Sequence, residues 1–119
     1  MNNKFNVTII GAGIVGLAIA KELSKSYENI LVIDKENTFG QHVSSRNSEV
    51  IHSGFYYPFG SLKSKLCILG NKMLYDFAES YHINYNRCGK LIVANNLYDI
   101  KKLDKIMDNA KKCGLKNIS

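Results

Sequence analysis

Three features of the sequence predict an α/β fold that opens with a strand–helix–strand unit. The stretch "FNVTII", residues 5–10, is apolar and rich in β-branched side chains, as a short buried strand should be. Gly11, Gly13 and Gly16 follow at once in "GAGIVG", with the spacing GxGxxG. A second apolar run, "NILVID", ends in Asp34, 18 residues after Gly16. This combination predicts a Rossmann-like dinucleotide-binding βαβ unit.

Each residue of the unit has a physical task. Gly11 permits the tight turn out of the first strand, and Gly13 lets the backbone approach a pyrophosphate. Gly16 allows close packing of helix on strand. The helix predicted over "IVGLAIAKELSKSY" places Val15, Ala18, Ile19, Leu23 and Ala20 near one face. Its N-terminus, which includes Ile14 and Val15, presents unpaired N–H groups and about half a positive charge to phosphates. Asp34 at the end of the second strand is placed to accept hydrogen bonds from ribose hydroxyls, and Lys35 beside it joins the candidate cofactor set. A carboxylate at this point repels a 2′-phosphate and disfavours NADP; FAD and NAD stay open.

Composition narrows the class. Of 119 residues, 45% are hydrophobic and 22% charged, the balance of a globular domain rather than a disordered chain. The net charge of +6 is scattered along helical segments as single lysines and Lys-Lys pairs. Nucleic-acid binding is not expected, because the most basic stretch, "KKLDKIMDNAKK", is broken by aspartates. Cys67, Cys88 and Cys113 show no CxxC or Cys/His ligand spacing, so neither a metal site nor a disulfide framework is expected. Reduced, buried thiols in a cytoplasmic protein are the expectation. The apolar run after Lys4 is reminiscent of a signal peptide but is shorter than the ~20 residues a spanning helix needs. A signal peptide would also leave Asp34 and the second strand without an account.

Beyond the second strand lies "SSRNSEVIHSGFYYPFGS", residues 44–61, which mixes hydroxyls and an arginine with His52 and an aromatic run. Hydroxyls and amides suit phosphate and polyol oxygens, and Arg46 offers a planar fork that lysine lacks. Taken alone, His52 reads as a core histidine bonded to backbone groups. Tyr56 and Tyr57 point to opposite faces if the segment is extended. "GSLKSKLCILGNKMLYDFAESYHI" predicts a long amphipathic helix capped by Ser61, with Leu62, Leu66, Leu69, Met73 or Leu74, and Phe77 in the core. "RCGKLIVAN" predicts a strand. "NLYDIKKLDKIMDNAKKCG" predicts a second helix with Leu97, Ile100, Leu103 and Met107 inward and Gly114 at its C-cap. His42 and His82 read as surface residues.

The segments "GAGIVGLAIAKEL", "DKE", "SSRNSEVIHSGFYYPFGSLKSKLCILGNKMLYDF" and "RCGKLIVA" resemble the N-terminal part of FAD-dependent oxidoreductases of the D-amino-acid-oxidase superfamily. The resemblance runs from Asn6 to Gly114 and is closest to the L-2-hydroxyglutarate oxidase/dehydrogenase branch. It implies FAD, with Gly11, Gly13 and Gly16 at the pyrophosphate and Asp34 at the adenosine ribose. Ser44, Ser45, Arg46, Asn47 and Ser48 would contact the pyrophosphate, ribityl chain or ring edge. His52 would lie on the substrate side, either taking the hydroxyl proton of a 2-hydroxy acid or binding its carboxylate as a cation; a side chain with an unperturbed pKa of about 6.5 suits both. The division implied is residues 1–85 for FAD and 86–119 for the start of a substrate-binding sheet.

Members of that family are several times longer, so the chain is expected to be truncated, stopping at "KNIS" as the next strand begins, and inactive alone. The expected function is the N-terminal part of an enzyme that oxidises a small 2-hydroxy acid. Oxygen and a quinone chain both stay open as electron acceptors, and with the second a peripheral membrane contact. Two alternatives are a non-catalytic dinucleotide-binding module and a relative acting on an amine or glycerol phosphate.

Overall fold

A computed structural model describes residues 4–116 and 118 and divides the chain into two compact units, one ending at Glu49 and one beginning at Val50. The first unit holds β1 (Val7–Ile10), α1 (Ile14–Leu23) and β2 (Ile30–Ile33). The strands pair in parallel, with Val7 opposite Ile30 and Ile10 opposite Ile33. Two more backbone bonds extend the pairing, Asn6 N–H to Asn29 O at 2.8 Å and Gly11 N–H to Ile33 O at 2.8 Å. The predicted βαβ unit is thus present, and the α/β class with it.

The face of α1 that turns inward differs from the expected one. Gly16, Leu17, Ala20 and Leu23 are half-buried, whereas Val15 (69% exposed), Ala18 and Ile19 face out. Gly16 decides this rotation. A Cβ there would lie 1.9 Å from the Gly11 carbonyl oxygen and 3.4 Å from Ile9 Cγ2, so this side of the helix rests directly on the glycine turn. After β2 comes one 3-10 turn, His42–Ser44.

The second unit contains α2 (Leu62–Ser80) and α3 (Leu97–Lys112). Both caps have sequence causes. Ser61 Oγ accepts from Ser64 N–H at 3.2 Å, as expected for an N-cap. Asn96 Oδ1 accepts from Asp99 N–H at 2.9 Å, while Asn96 Nδ2 donates to Asp99 Oδ2 at 2.9 Å. Asp99 in the first turn and Lys111 and Lys112 in the last complement the α3 dipole. Gly114 follows the C-cap Cys113, and Leu115 N–H reaches back to Ala110 O at 3.1 Å, closing the end as predicted.

The apolar stripe expected to be the core of α2 is exposed along its length, from Leu62 (72%) to Phe77. The inward face instead carries Ser64, Cys67, Ile68, Asn71, Tyr75 and Ala78, all buried or half-buried. Packing chose small residues because the segment 51–55 runs against this face. A Cβ on Gly54 would meet Cys67 Cβ and Ser64 O at 3.0 Å and Ile68 Cγ1 at 3.1 Å. Ser64, 1% exposed, spends its hydroxyl on the Gly54 carbonyl (3.3 Å) and lies 3.5 Å from Cys113 Sγ. Of the residues expected inward on α3, Leu103 and Met107 are half-buried, and Leu97 and Ile100 are exposed.

The strand expected over residues 87–95 is not formed. Among the described residues the sheet has two strands, and this segment has no pairing partner, leaving Leu91 87% exposed. A strand is defined by its ladder, so a β-prone sequence without a neighbour remains irregular. The start of a substrate-binding sheet is therefore absent among the described residues. The further strand expected at the end of the chain would begin at "KNIS", and of these residues Asn117 and Ser119 lie outside the described ones.

Candidate functional site

Most of the expected cofactor residues converge on the turn between β1 and α1. Gly11 has a φ of +109°, a region that favours glycine, and its N–H ties the turn to β2. Gly13 is the N-cap of α1 and supplies no side chain to the helix end. That task falls to Ser44, whose Oγ accepts from Ile14 N–H, 30 residues away in sequence, at 2.9 Å. Accepting this bond leaves the Ser44 hydroxyl its own proton to donate. A Cβ on Gly13 would approach this oxygen to 3.0 Å, so glycine keeps the entrance to the helix terminus open.

Asp34 closes the other side. Its Oδ2 accepts from Ala12 N–H at 2.6 Å and its Oδ1 from Glu36 N–H at 3.0 Å. The Glu36 amide, followed by that of Ala12, holds the carboxyl below its usual range, and the nearby His42 adds a smaller push in the same direction. A carboxylate kept ionised still has lone pairs free to accept hydroxyl groups. The segment after β2 folds back onto the turn through Gly40 N–H, which donates to Ala12 O at 2.9 Å. His42 Nε2 lies 2.7 Å from Glu36 Oε1, and Lys35 Nζ lies 3.7 Å from the same oxygen.

The remaining candidates form a turn of their own. Ser45 Oγ donates to His42 O at 3.1 Å, and Arg46 N–H donates to Val43 O at 3.3 Å. Asn47 uses its amide nitrogen on Ser44 O (3.1 Å) and its amide oxygen on Glu49 N–H (2.8 Å). Ser48 is exposed at the end of this turn, and Val15 lies on the outer face of α1. In the second unit, His52 presents an exposed side chain from an irregular segment. Sequence reasoning missed the Glu36–His42 pair and two asparagines, Asn71, whose amide bonds Ile51 O and His52 O, and Asn109, whose amide bonds the 55–59 segment. Their one visible signal is that Asn71 lies seven residues after Ser64, on the same helix face.

The residues present fit a dinucleotide pyrophosphate. The helix end is free of its own side-chain cap, its first turn carries no acid, and glycine stands where a Cβ would narrow the approach.

The family model described as FAD dependent oxidoreductase matches residues 6–118. The chain is 47% identical over 104 residues to the mitochondrial L-2-hydroxyglutarate dehydrogenase of Arabidopsis thaliana, covering 87% of this chain and 22% of that protein. It is 44% identical over 116 residues to the enzyme of the same name from Dictyostelium discoideum, covering 96% and 26%. With the Homo sapiens enzyme the identity is 39% over 115 residues, covering 95% and 25%. The chain thus spans about a quarter of the length of these relatives. All three carry a mitochondrial name, which overturns the cytoplasmic expectation. That expectation rested on free cysteines. The three thiols are unpaired, with Cys67 and Cys113 half-buried and Cys88 exposed rather than buried, but thiol state does not separate one reducing compartment from another.

Proposed function

The chain belongs to the FAD dependent oxidoreductase family, and from that membership we propose that it forms the N-terminal, FAD-binding part of an enzyme oxidising an L-2-hydroxyglutarate-like 2-hydroxy acid to its 2-oxo acid. The observation that carries the reading is 44% identity to an L-2-hydroxyglutarate dehydrogenase across 96% of the chain. A mitochondrial location follows from the same relatives.

In this reading residues 1–85 serve the cofactor and residues 86–119 begin the substrate-binding part. Gly11, Gly13, Gly16, Ile14 and Val15 surround the pyrophosphate, with the Ser44 hydroxyl donating beside them. Asp34 accepts from the adenosine ribose, and Lys35 flanks it. Ser45, Arg46, Asn47 and Ser48 supply donors to the phosphate, the ribityl chain or the ring edge. When bound, FAD supplies the hydride acceptor for the substrate α-carbon. His52 takes the hydroxyl proton of the substrate or holds its carboxylate.

The test is anaerobic mixing of the FAD-loaded complete enzyme, of which this chain forms the N-terminal part, with L-2-hydroxyglutarate, with the D-enantiomer, glycerol phosphate and an amino acid as controls. Bleaching of the oxidised-flavin band by the L-hydroxy acid alone is expected. Bleaching by glycerol phosphate or the amino acid instead would replace the substrate class. Saturable binding of NAD with FAD ignored would remove the flavin from the reading altogether.

A further inference from the structure

The main chain around His52 is fixed by a side chain far from it in sequence. Residues 51–53 belong to no helix or strand, so their carbonyls need partners from outside the segment. Asn71, half-buried on α2, donates from the same Nδ2 to Ile51 O and His52 O, each at 3.3 Å. These two carbonyls belong to the peptide planes on either side of the His52 Cα. Pinning both planes fixes φ and ψ of His52, and with them the direction in which its Cβ leaves the backbone. Two residues on, Ser64 Oγ holds Gly54 O at 3.3 Å from the same helix face. Gly54 itself has no room to move toward α2, since a Cβ there would meet three atoms within 3.1 Å. The backbone is anchored on both sides while the His52 side chain stays exposed.

We propose that Asn71 is the positioning residue for His52, aiming the imidazole by bonding the carbonyls before and after its Cα. This rests on the reading of His52 as the proton-taking or carboxylate-binding group, but the positioning can be measured without it. A catalytic group must be held within a fraction of an ångström of its working geometry, and a side chain locked by neighbouring hydrogen bonds meets that demand.

The experiment uses the FAD-loaded protein with isotope-labelled histidine. The ring signals of His42, His52 and His82 are followed by NMR, and His52 is assigned by its loss in His52→Gln. Asn71→Ala, which improves helix propensity while removing both donors, is expected to move the His52 ring signal and to leave those of His42 and His82 in place. In turnover of the complete enzyme, kcat falls about tenfold with little change in KM. In a His52→Gln background the same substitution adds little, because the two residues act as one unit. Asn71→Ser, which keeps one donor, should fall between. An unmoved His52 signal in a folded Asn71→Ala protein overturns the proposal. Fast exchange of the Asn71 side-chain amide protons in the unsubstituted protein does so too, whatever the variants do. If Asn71→Ala moves the His52 signal while His52→Gln keeps full turnover, the positioning stands and the catalytic reading of His52 falls.

Discussion

At the scale of single residues, Asp34 joins fold and function in one carboxylate. It accepts from Glu36 N–H and Ala12 N–H, and these amides lower its pKa from the ordinary 3.8. A group whose native pKa lies below its unfolded value favours the fold above that unfolded value. The contribution is lost as pH falls through the native pKa. The Asp34 contribution should therefore be fully present and independent of pH near neutrality, and stability should decline below about pH 3.8. Denaturant titrations from pH 6 down to pH 2 should show a steeper acid limb in the unsubstituted protein than in Asp34→Asn. Identical limbs would mean that the two amides do not lower the carboxyl pKa in the folded protein. The same variant should weaken FAD binding roughly tenfold, the effect of one charge-assisted hydrogen bond. Asp34 could be picked from sequence because the end of a strand is a local position. Its bond to Ala12, across 22 residues, has no local signature, nor has the reach of Ser44 to Ile14 across 30.

At the scale of elements, the informative surface is the small-residue face of α2 rather than its apolar stripe. Periodicity gives the boundaries of α2 and α3 to within a few residues, because caps such as Ser61 and Asn96 act within one turn. It misassigns the buried side of α2, because burial depends on what lies opposite. Here the neighbour is a backbone, and backbone packs against Ser64, Cys67 and Ile68, not against leucines. Gly54 carries the sharpest consequence. Its φ is +81°, and an added Cβ would touch Cys67 Cβ and Ser64 O at 3.0 Å. Gly54→Ala should cost about 2–3 kcal/mol from backbone strain and overpacking together. That appears as a lowered denaturant midpoint with an unchanged slope. A midpoint equal to or above that of the unsubstituted protein would show that the segment is not seated on α2. Asn109 supports the same segment from α3, donating to Tyr57 O at 2.9 Å and also to Phe55 O, and accepting from Phe59 N–H at 3.2 Å.

At the scale of the whole molecule, little of the apolar surface is covered. Among the described residues the buried hydrophobic side chains are Phe55, Ala78 and Ala110, and at about 25 cal/mol per Å² they supply little stabilisation. A bound cofactor then becomes a large share of total stability, because anything that binds the native state alone stabilises it by RT ln(1 + [L]/Kd). At a hundredfold excess over Kd this is about 2.7 kcal/mol. Amides that exchange only when the binding region opens should slow by roughly a hundredfold under the same linkage. Hydrogen exchange thus maps which residues share the cofactor's stabilisation. If residues 1–85 serve FAD, β1, α1, β2 and α2 should gain protection on FAD addition, with α3 unchanged and NAD inert. Gain confined to residues before Val50 would shrink the cofactor part to the first compact unit. Gain shared equally by α2 and α3 would mean that the second unit opens as one body. Ser64 beside Cys113 and Asn109 on the 55–59 segment would then be the ties responsible, and the division proposed after residue 85 would have to be withdrawn.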